Sequence, residues 1–223
     1  MLEFIISFIK IIFLLGFLIF IHEGGHFCVA KLCKVKVNEF AIGFGPTIWK
    51  KQGEETKYAL RLIPLGGFVS MEGEAEASEN EGAFNKASIL KRIAIVSAGA
   101  LVNIVFAIIL FFGIATYMQQ SVYDGFVSTG KFVTTIAESL KLLFTGNVHM
   151  NDMMGPVGLS SVVSKTTGII DFLYILSVIS LSLGITNLLP IPALDGGKIV
   201  LLILEAIRRK PLNEELEIFY QFS

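Results

Sequence analysis

The chain has 223 residues, of which 53% are hydrophobic and 17% charged, and its mean hydropathy is +0.71. That balance is too apolar for an ordinary water-soluble domain and fits a small membrane protein with several spans. A formal net charge of −1 offers no positive excess for a phosphate backbone, so no nucleic-acid partner is expected.

The first apolar run extends from Phe4 to about Ala30. As a helix at about 1.5 Å per residue it would be about 40 Å long, more than the roughly 30 Å hydrocarbon core requires. It has no basic leader, Lys10 lies inside the apolar run, and no small-residue cleavage site precedes His22. It therefore reads as a retained span rather than a secretory signal.

Near the inner end of this run stands His22-Glu23-Gly24-Gly25-His26. Helical residues four apart project from one face, so both imidazoles can reach a single metal ion. Glu23 falls beside that face and is the candidate general base for a metal-activated water. Chance spacing is the alternative, but ionisable groups at bilayer depth are costly and usually mark function. Gly24 and Gly25 are poor helix formers; they either leave room beside a metal or allow close helix packing. Cys28 and Cys33 lack the spacing of a zinc knuckle or redox pair and read as reduced packing residues.

After the first run come ten Lys and Arg between Lys31 and Arg92, against three between Met118 and Phe172. The positive-inside rule puts residues 31–92 and the tail after Asp195 in the cytoplasm, and the N-terminus and residues 119–170 outside. The metal motif then faces the cytoplasmic half. Lys57 to Met71 reads as two short strands around Pro64-Leu65-Gly66-Gly67, a hairpin apolar enough to dip toward the membrane beside the metal, with a plain cytoplasmic hairpin as the alternative. Gly66 and Gly67 in its turn are candidate substrate contacts. Residues 72–81 are acidic and small and read as a mobile linker.

The second span is expected from Ile93 to Met118. Val122 to Phe144 then places Phe126, Val133, Ile136, Leu140 and Leu143 at roughly helical spacing, an amphipathic helix on the outer surface. His149 falls on the wrong side of the membrane to be a ligand, and Gly155-Pro156-Val157-Gly158 reads as a turn. The third span is expected from about Phe172 to Leu189.

Two histidines leave a zinc ion one protein ligand short. Asp195 is the best candidate, because Pro190 and Pro192 break the helix ahead of it and Gly196-Gly197 allow close backbone approach. Broken backbone at membrane depth is tolerated only where protein or a wet cavity satisfies it. Asp152 and Asp171 lie on the outer side and Glu205 lies further inward. The plainer reading of Asp195 is the N-cap of a following helix.

With these motifs in place, the chain resembles the site-2 proteases, intramembrane zinc metalloproteases, and within them the bacterial RseP-like branch. The likeness runs over nearly the whole chain: His22-Glu23-x-x-His26; Arg61 to Met71 as the re-entrant hairpin; Ser97-Ala-Gly99-Ala-Leu-Val-Asn103 in the second span; Gly155 to Gly158; and Asn187-x-x-Pro190-x-Pro192-x-Leu-Asp195-Gly196. The resemblance implies Zn2+ held by His22, His26 and Asp195, Glu23 as general base, and Asn187 as a polar group touching substrate. As an amide in an apolar span, Asn187 is equally explained by an interhelical hydrogen bond, and Asn103 shares that ambiguity.

The expected fold is mostly α, a polytopic protein of the bacterial inner membrane with three transmembrane helices and a short membrane-associated β-hairpin. The implied activity is cleavage of single-span membrane proteins, such as anti-sigma factors or remnant signal peptides, within the lipid bilayer. The rival is a membrane zinc protein without protease activity, a transporter or an inactive scaffold. Two departures stand out. The PDZ domains of RseP-like proteins have no counterpart after Gln120, and Ser223 falls about where a fourth span would begin. A natural short form, a shortened one and an incomplete listing all fit.

Overall fold

The computed structural model describes residues 2–144, 166 and 168–208. Their order is α1 (Leu2–Leu32), β1 (Val37–Gln52), β2 (Lys57–Met71), a 3-10 turn (Phe84–Lys86), α2 (Ile89–Gln119), α3 (Val122–Phe144), α4 (Ile169–Asn187) and α5 (Asp195–Arg208). His149 and the Gly155–Gly158 turn lie outside the described residues.

Helices α1, α2 and α4 carry segments long and apolar enough to cross a membrane, at Ile5–Leu32, Ile89–Gln119 and Ile169–Asn187. Large apolar side chains stay uncovered along them, with Phe8 and Phe13 each 56% and Ile109 65% exposed. In water such surface would seek a partner; in a bilayer it meets lipid. The protein is a mostly helical polytopic membrane protein, and each span falls within a few residues of its expected limits.

The chain divides into two compact units, residues 1–14 with 103–183, and residues 15–102 with 184–223. In the first, α3 turns Gly125, Thr129 and Phe132 inward, and the Phe132 ring stacks on Phe111 at 4.0 Å. Phe126, on the expected apolar stripe, is 65% exposed. The helix packs through the smaller face because Gly125 comes tight against the Thr116 side chain. Lys10, the charge inside the first span, donates to the Thr166 carbonyl at 2.9 Å, which gives its ammonium an acceptor. Ser180 donates across the same unit to the carbonyl of buried Asn103 at 2.9 Å.

The second unit is built on a core of Ala30, Val35, Val37, Met71, Phe84, Ile95, Val96 and Leu202. Helix α1 leaves it through a left-handed residue, Lys34 at φ 61°, where Val35 N–H donates back to the Ala30 carbonyl at 2.9 Å. The chain then enters β1. The sheet expected around residues 57–71 is present, but the two arms of that stretch do not pair with each other; their partner is β1. The last residues of β2 pair antiparallel with the start of β1, from Val37↔Met71 to Ile42↔Gly67. The first residues of β2 pair with the end of β1, from Thr47↔Arg61 to Gln52↔Lys57, and also lie along the other edge of Glu39–Ile42. Both strands must bend for this. β1 does so at Gly43, φ +86°, where a Cβ would come within 2.7 Å of the Ile63 carbonyl oxygen, so a side chain is excluded twice over.

Arg92 and Glu205 tie the start of α2 to α5 by a two-bonded ion pair at 2.5 and 3.0 Å, both side chains nearly buried. Residues 72–81 are not a free linker. Glu72 accepts from Lys36 at 2.6 Å, from the Ser78 hydroxyl at 2.9 Å and from the Asn80 amide. These donors, Lys36 foremost, hold its carboxyl down at about 2 against an ordinary 4.5. A carboxyl lowered on folding stabilises above its unfolded value and loses that contribution as pH falls toward the folded one. Hydrogen exchange in residues 72–82 is therefore expected to speed up as pH drops from about 4.5 toward 2, after correction for the intrinsic rate, and Glu72→Gln should show that faster exchange already at neutral pH.

Candidate metal centre

Helix α1 carries His22 and His26 one turn apart, their rings nearly perpendicular at 84° with centroids 4.8 Å apart. Their Nε2 atoms face each other at 3.3 Å. Asp195, the first residue of α5, brings its Oδ2 to 3.3 Å from Nε2 of His22 and 3.4 Å from Nε2 of His26. A tetrahedron with zinc-to-ligand distances of about 2.0–2.1 Å has edges of about 3.3–3.4 Å. The three donor atoms thus already stand at the spacing of three corners of a zinc site. Asp195 Oδ2 is also buried and accepts no well-formed hydrogen bond among the described residues, which a cation would remedy.

The orientation of His26 is set from behind. Its Nδ1 lies 2.8 Å from the Ile95 carbonyl oxygen, which can only accept. Nδ1 therefore carries the hydrogen, and the lone pair of Nε2 is turned toward Asp195. The ring has room because α2 offers glycine there. A Cβ on Gly99 would collide with His26 Nε2 and come within 2.8 Å of the His22 carbonyl oxygen. From the other helix, a Cβ on Gly25 would meet the Ala98 carbonyl oxygen at 2.7 Å. Of the two roles open to the motif glycines, Gly25 has close helix packing, whereas Gly24 faces open space.

Asp195 arrives by the broken segment expected from its prolines. Helix α4 ends at Asn187, short turns follow through Leu194, and Ala193 takes a left-handed φ of 69°. Gly196 and Gly197 press against the carbonyls of residues 188, 189 and 191 with no space for a side chain. Asp195 is thus the first residue of α5 and a member of the cluster.

A cavity of about 180 Å³ opens over these groups. It is lined by His22, Glu23, His26 and Asp195, by Phe68, Val69 and Met71 of β2, by Val96, and at its charged end by Glu74 and Lys198. Glu23 thus shares the cavity with the three donor atoms. Gly67 lies against it, for a Cβ there would meet Glu23 Cγ at 3.2 Å. Gly66 instead packs under the Phe44 ring, and neither Gly66 nor Asn187 lines the cavity. Sequence reasoning missed Glu74, Lys198 and the role of Gly99. Only the small-residue run at 97–100 hinted at the last.

Gly99→Ala is expected to displace the His26 ring and weaken zinc binding about 10- to 100-fold, the range for disturbed ligand support. Competition with a chelator measures it, with circular dichroism to show that the helices remain.

The model of peptidase family M50 matches residues 10–223. A curated protein of Clostridium acetobutylicum, provisionally named a zinc metalloprotease, is 29% identical over 296 residues, covering 90% of this chain and 87% of that protein. A protein of Fusobacterium nucleatum with the same kind of name is 27% identical over 311 residues, covering 95% and 91%. Both alignments are longer than the 223 residues here, so these relatives hold internal stretches with no counterpart in this chain. Protease RseP of Yersinia pestis is 47% identical over 102 residues, 44% of this chain and 23% of that protein. One helix carrying His22, Glu23 and His26, an aspartate brought within 3.4 Å of both imidazoles and a family match over nearly the whole length agree: the chain belongs to peptidase family M50, the site-2 protease family of membrane zinc metalloproteases.

Proposed function

We propose that His22, His26 and Asp195 hold one zinc ion, that Glu23 is the general base, and that the protein cuts peptide bonds in or beside the transmembrane segment of single-span membrane proteins. The triangle of donor atoms at 3.3, 3.3 and 3.4 Å carries this reading. When bound, zinc supplies Lewis acidity, polarising the scissile carbonyl and easing deprotonation of water. Glu23, in the same cavity, takes the proton of the attacking water and returns it to the leaving amine nitrogen. Glu23 is half-buried, with Gly67 against its side chain, which limits competing solvent.

A helical substrate hides its amide bonds and must unwind locally. The last residues of β2 use one edge for β1 and turn Phe68, Val69 and Met71 to the cavity. An extended peptide added along the remaining edge would gain main-chain hydrogen bonds that make little demand on sequence. Small or helix-breaking residues near the cut would favour that unwinding. Gly66 and Gly67 would let the peptide approach the strand closely, and Asn187, at the end of α4, would offer an amide to it. Charge asymmetry supports placing the centre toward the cytoplasmic half of a bacterial inner membrane. Anti-sigma factors trimmed on the outside, or remnant signal peptides, have the form this site would accept.

Glu23→Gln separates this reading from a zinc carrier or scaffold. The variant is expected to keep one zinc per chain while cleavage of a single-span substrate by purified protein falls at least about 100-fold. Cleavage at the wild-type rate would sink the assignment of Glu23.

A further inference from the structure

The charged end of the cavity is closed by an ion pair, Lys198 Nζ to Glu74 Oε1 at 3.1 Å. The two partners are unlike in freedom. Glu74 follows β2 by one tight turn, in which its N–H donates to the Met71 carbonyl at 3.3 Å, and the turn passes through Gly73 at φ +74°. The residue before that glycine, Glu72, is clamped by Lys36, Ser78 and Asn80. The backbone at Glu74 is therefore held in place, and its side chain is 18% exposed. Lys198 stands one turn beyond Asp195 on the same face of α5, on a flexible four-carbon stem, and is 39% exposed. A pair open to solvent to this degree contributes little to stability, so exchanging one ammonium for another is easy.

Three carboxylates line the cavity, and Glu23 and Asp195 belong to the metal centre. Glu74 is the one left over. A peptide laid along Phe68 to Met71 would pass from the metal centre toward it. Lys198 lies on the path along α5 toward Glu205 and Arg92, among the basic residues that mark the cytoplasmic side. Single-span proteins carry Lys and Arg in that same flank.

From this geometry we propose that Glu74 is the carboxylate of a substrate subsite that takes a lysine or arginine side chain flanking the cleaved segment. Lys198 keeps that subsite closed as an internal stand-in for the substrate's cation. The assignment rests on the strand-edge protease reading above. Binding exchanges the Glu74–Lys198 pair for a Glu74–substrate pair and releases Lys198 to water. No covalent step is involved.

The test uses purified full-length chain loaded with zinc and single-span substrates that differ only by Lys, Ala or Glu at successive positions of the cytoplasmic flank. Wild type should favour the Lys substrate over the Ala substrate about fivefold in kcat/KM at one position. Glu74→Gln should level the series and Glu74→Lys should invert it toward Glu. Lys198→Ala should lower KM for the Lys substrate and leave kcat in place. Zinc content identifies misfolded variants, and Glu74→Gln decides if Glu74→Lys does not fold. Equal cleavage of all three substrates by wild type, or a Lys preference that survives Glu74→Gln, would overturn the proposal. Failure of zinc-loaded wild type to cut any of them would instead overturn the protease reading, and this assignment with it.

Discussion

Two imidazole nitrogens and a carboxylate oxygen, from chain positions some 170 residues apart, converge to 3.3–3.4 Å in a protein made largely of lipid-facing helices. Groups this close and this buried are satisfied by a shared proton or a shared cation, and their convergence leaves no space for intervening side chains. The surroundings answer to that constraint. Helices α1 and α2 touch through Gly25, Ala98 and Gly99, β2 meets Glu23 through Gly67, and α5 begins under the carbonyls of residues 188–191 through Gly196. At Gly99 the missing side chain gives the space the His26 ring occupies, and at Gly25 and Gly196 it lets backbone approach backbone. Small-residue contacts of this kind hold helices together in a bilayer, where burying apolar surface gains nothing.

Behind the cluster, the second unit has a conventional packed end. Apolar residues from α1, both strands, α2 and α5 form one core, and the Arg92–Glu205 pair links the last two helices. Strand β2, which lines the cavity, is anchored at Met71 in the same core that holds Val37 of β1, Ala30 of α1 and Leu202 of the helix carrying Asp195. His22, Glu23 and His26 on α1, Asp195 on α5 and the cavity-lining end of β2 therefore share one packed support.

What the sequence revealed about this arrangement followed from periodicity and from breaks in it. The His22/His26 spacing is a property of one helix, and two prolines inside an apolar stretch announce a broken helix before Asp195. The spans followed from length alone. The partner strand was not legible: residues 44–52 are exposed on both faces, so they lack the alternation that marks a half-buried strand, and the pairing depends on bends at Gly43 and near Gly66. The loop at 72–81 misled because its acidic composition is that of a solvated linker, while a single carboxylate, Glu72, organises it. Helix α3 has the expected limits, while the glycine–threonine face by which it packs gave no apolar signal. Glu74 and Lys198 are 124 residues apart, and each by itself is an ordinary surface charge.

The acceptor that orients His26 is the main-chain oxygen of Ile95. Many metal-bound histidines lean on a carboxylate, which a single codon change can remove. Here the support is encoded by the path of α2 and by no side chain, so it survives any substitution at position 95 that keeps the helix. The identity of His26 is written in the sequence; its aim is written in the fold.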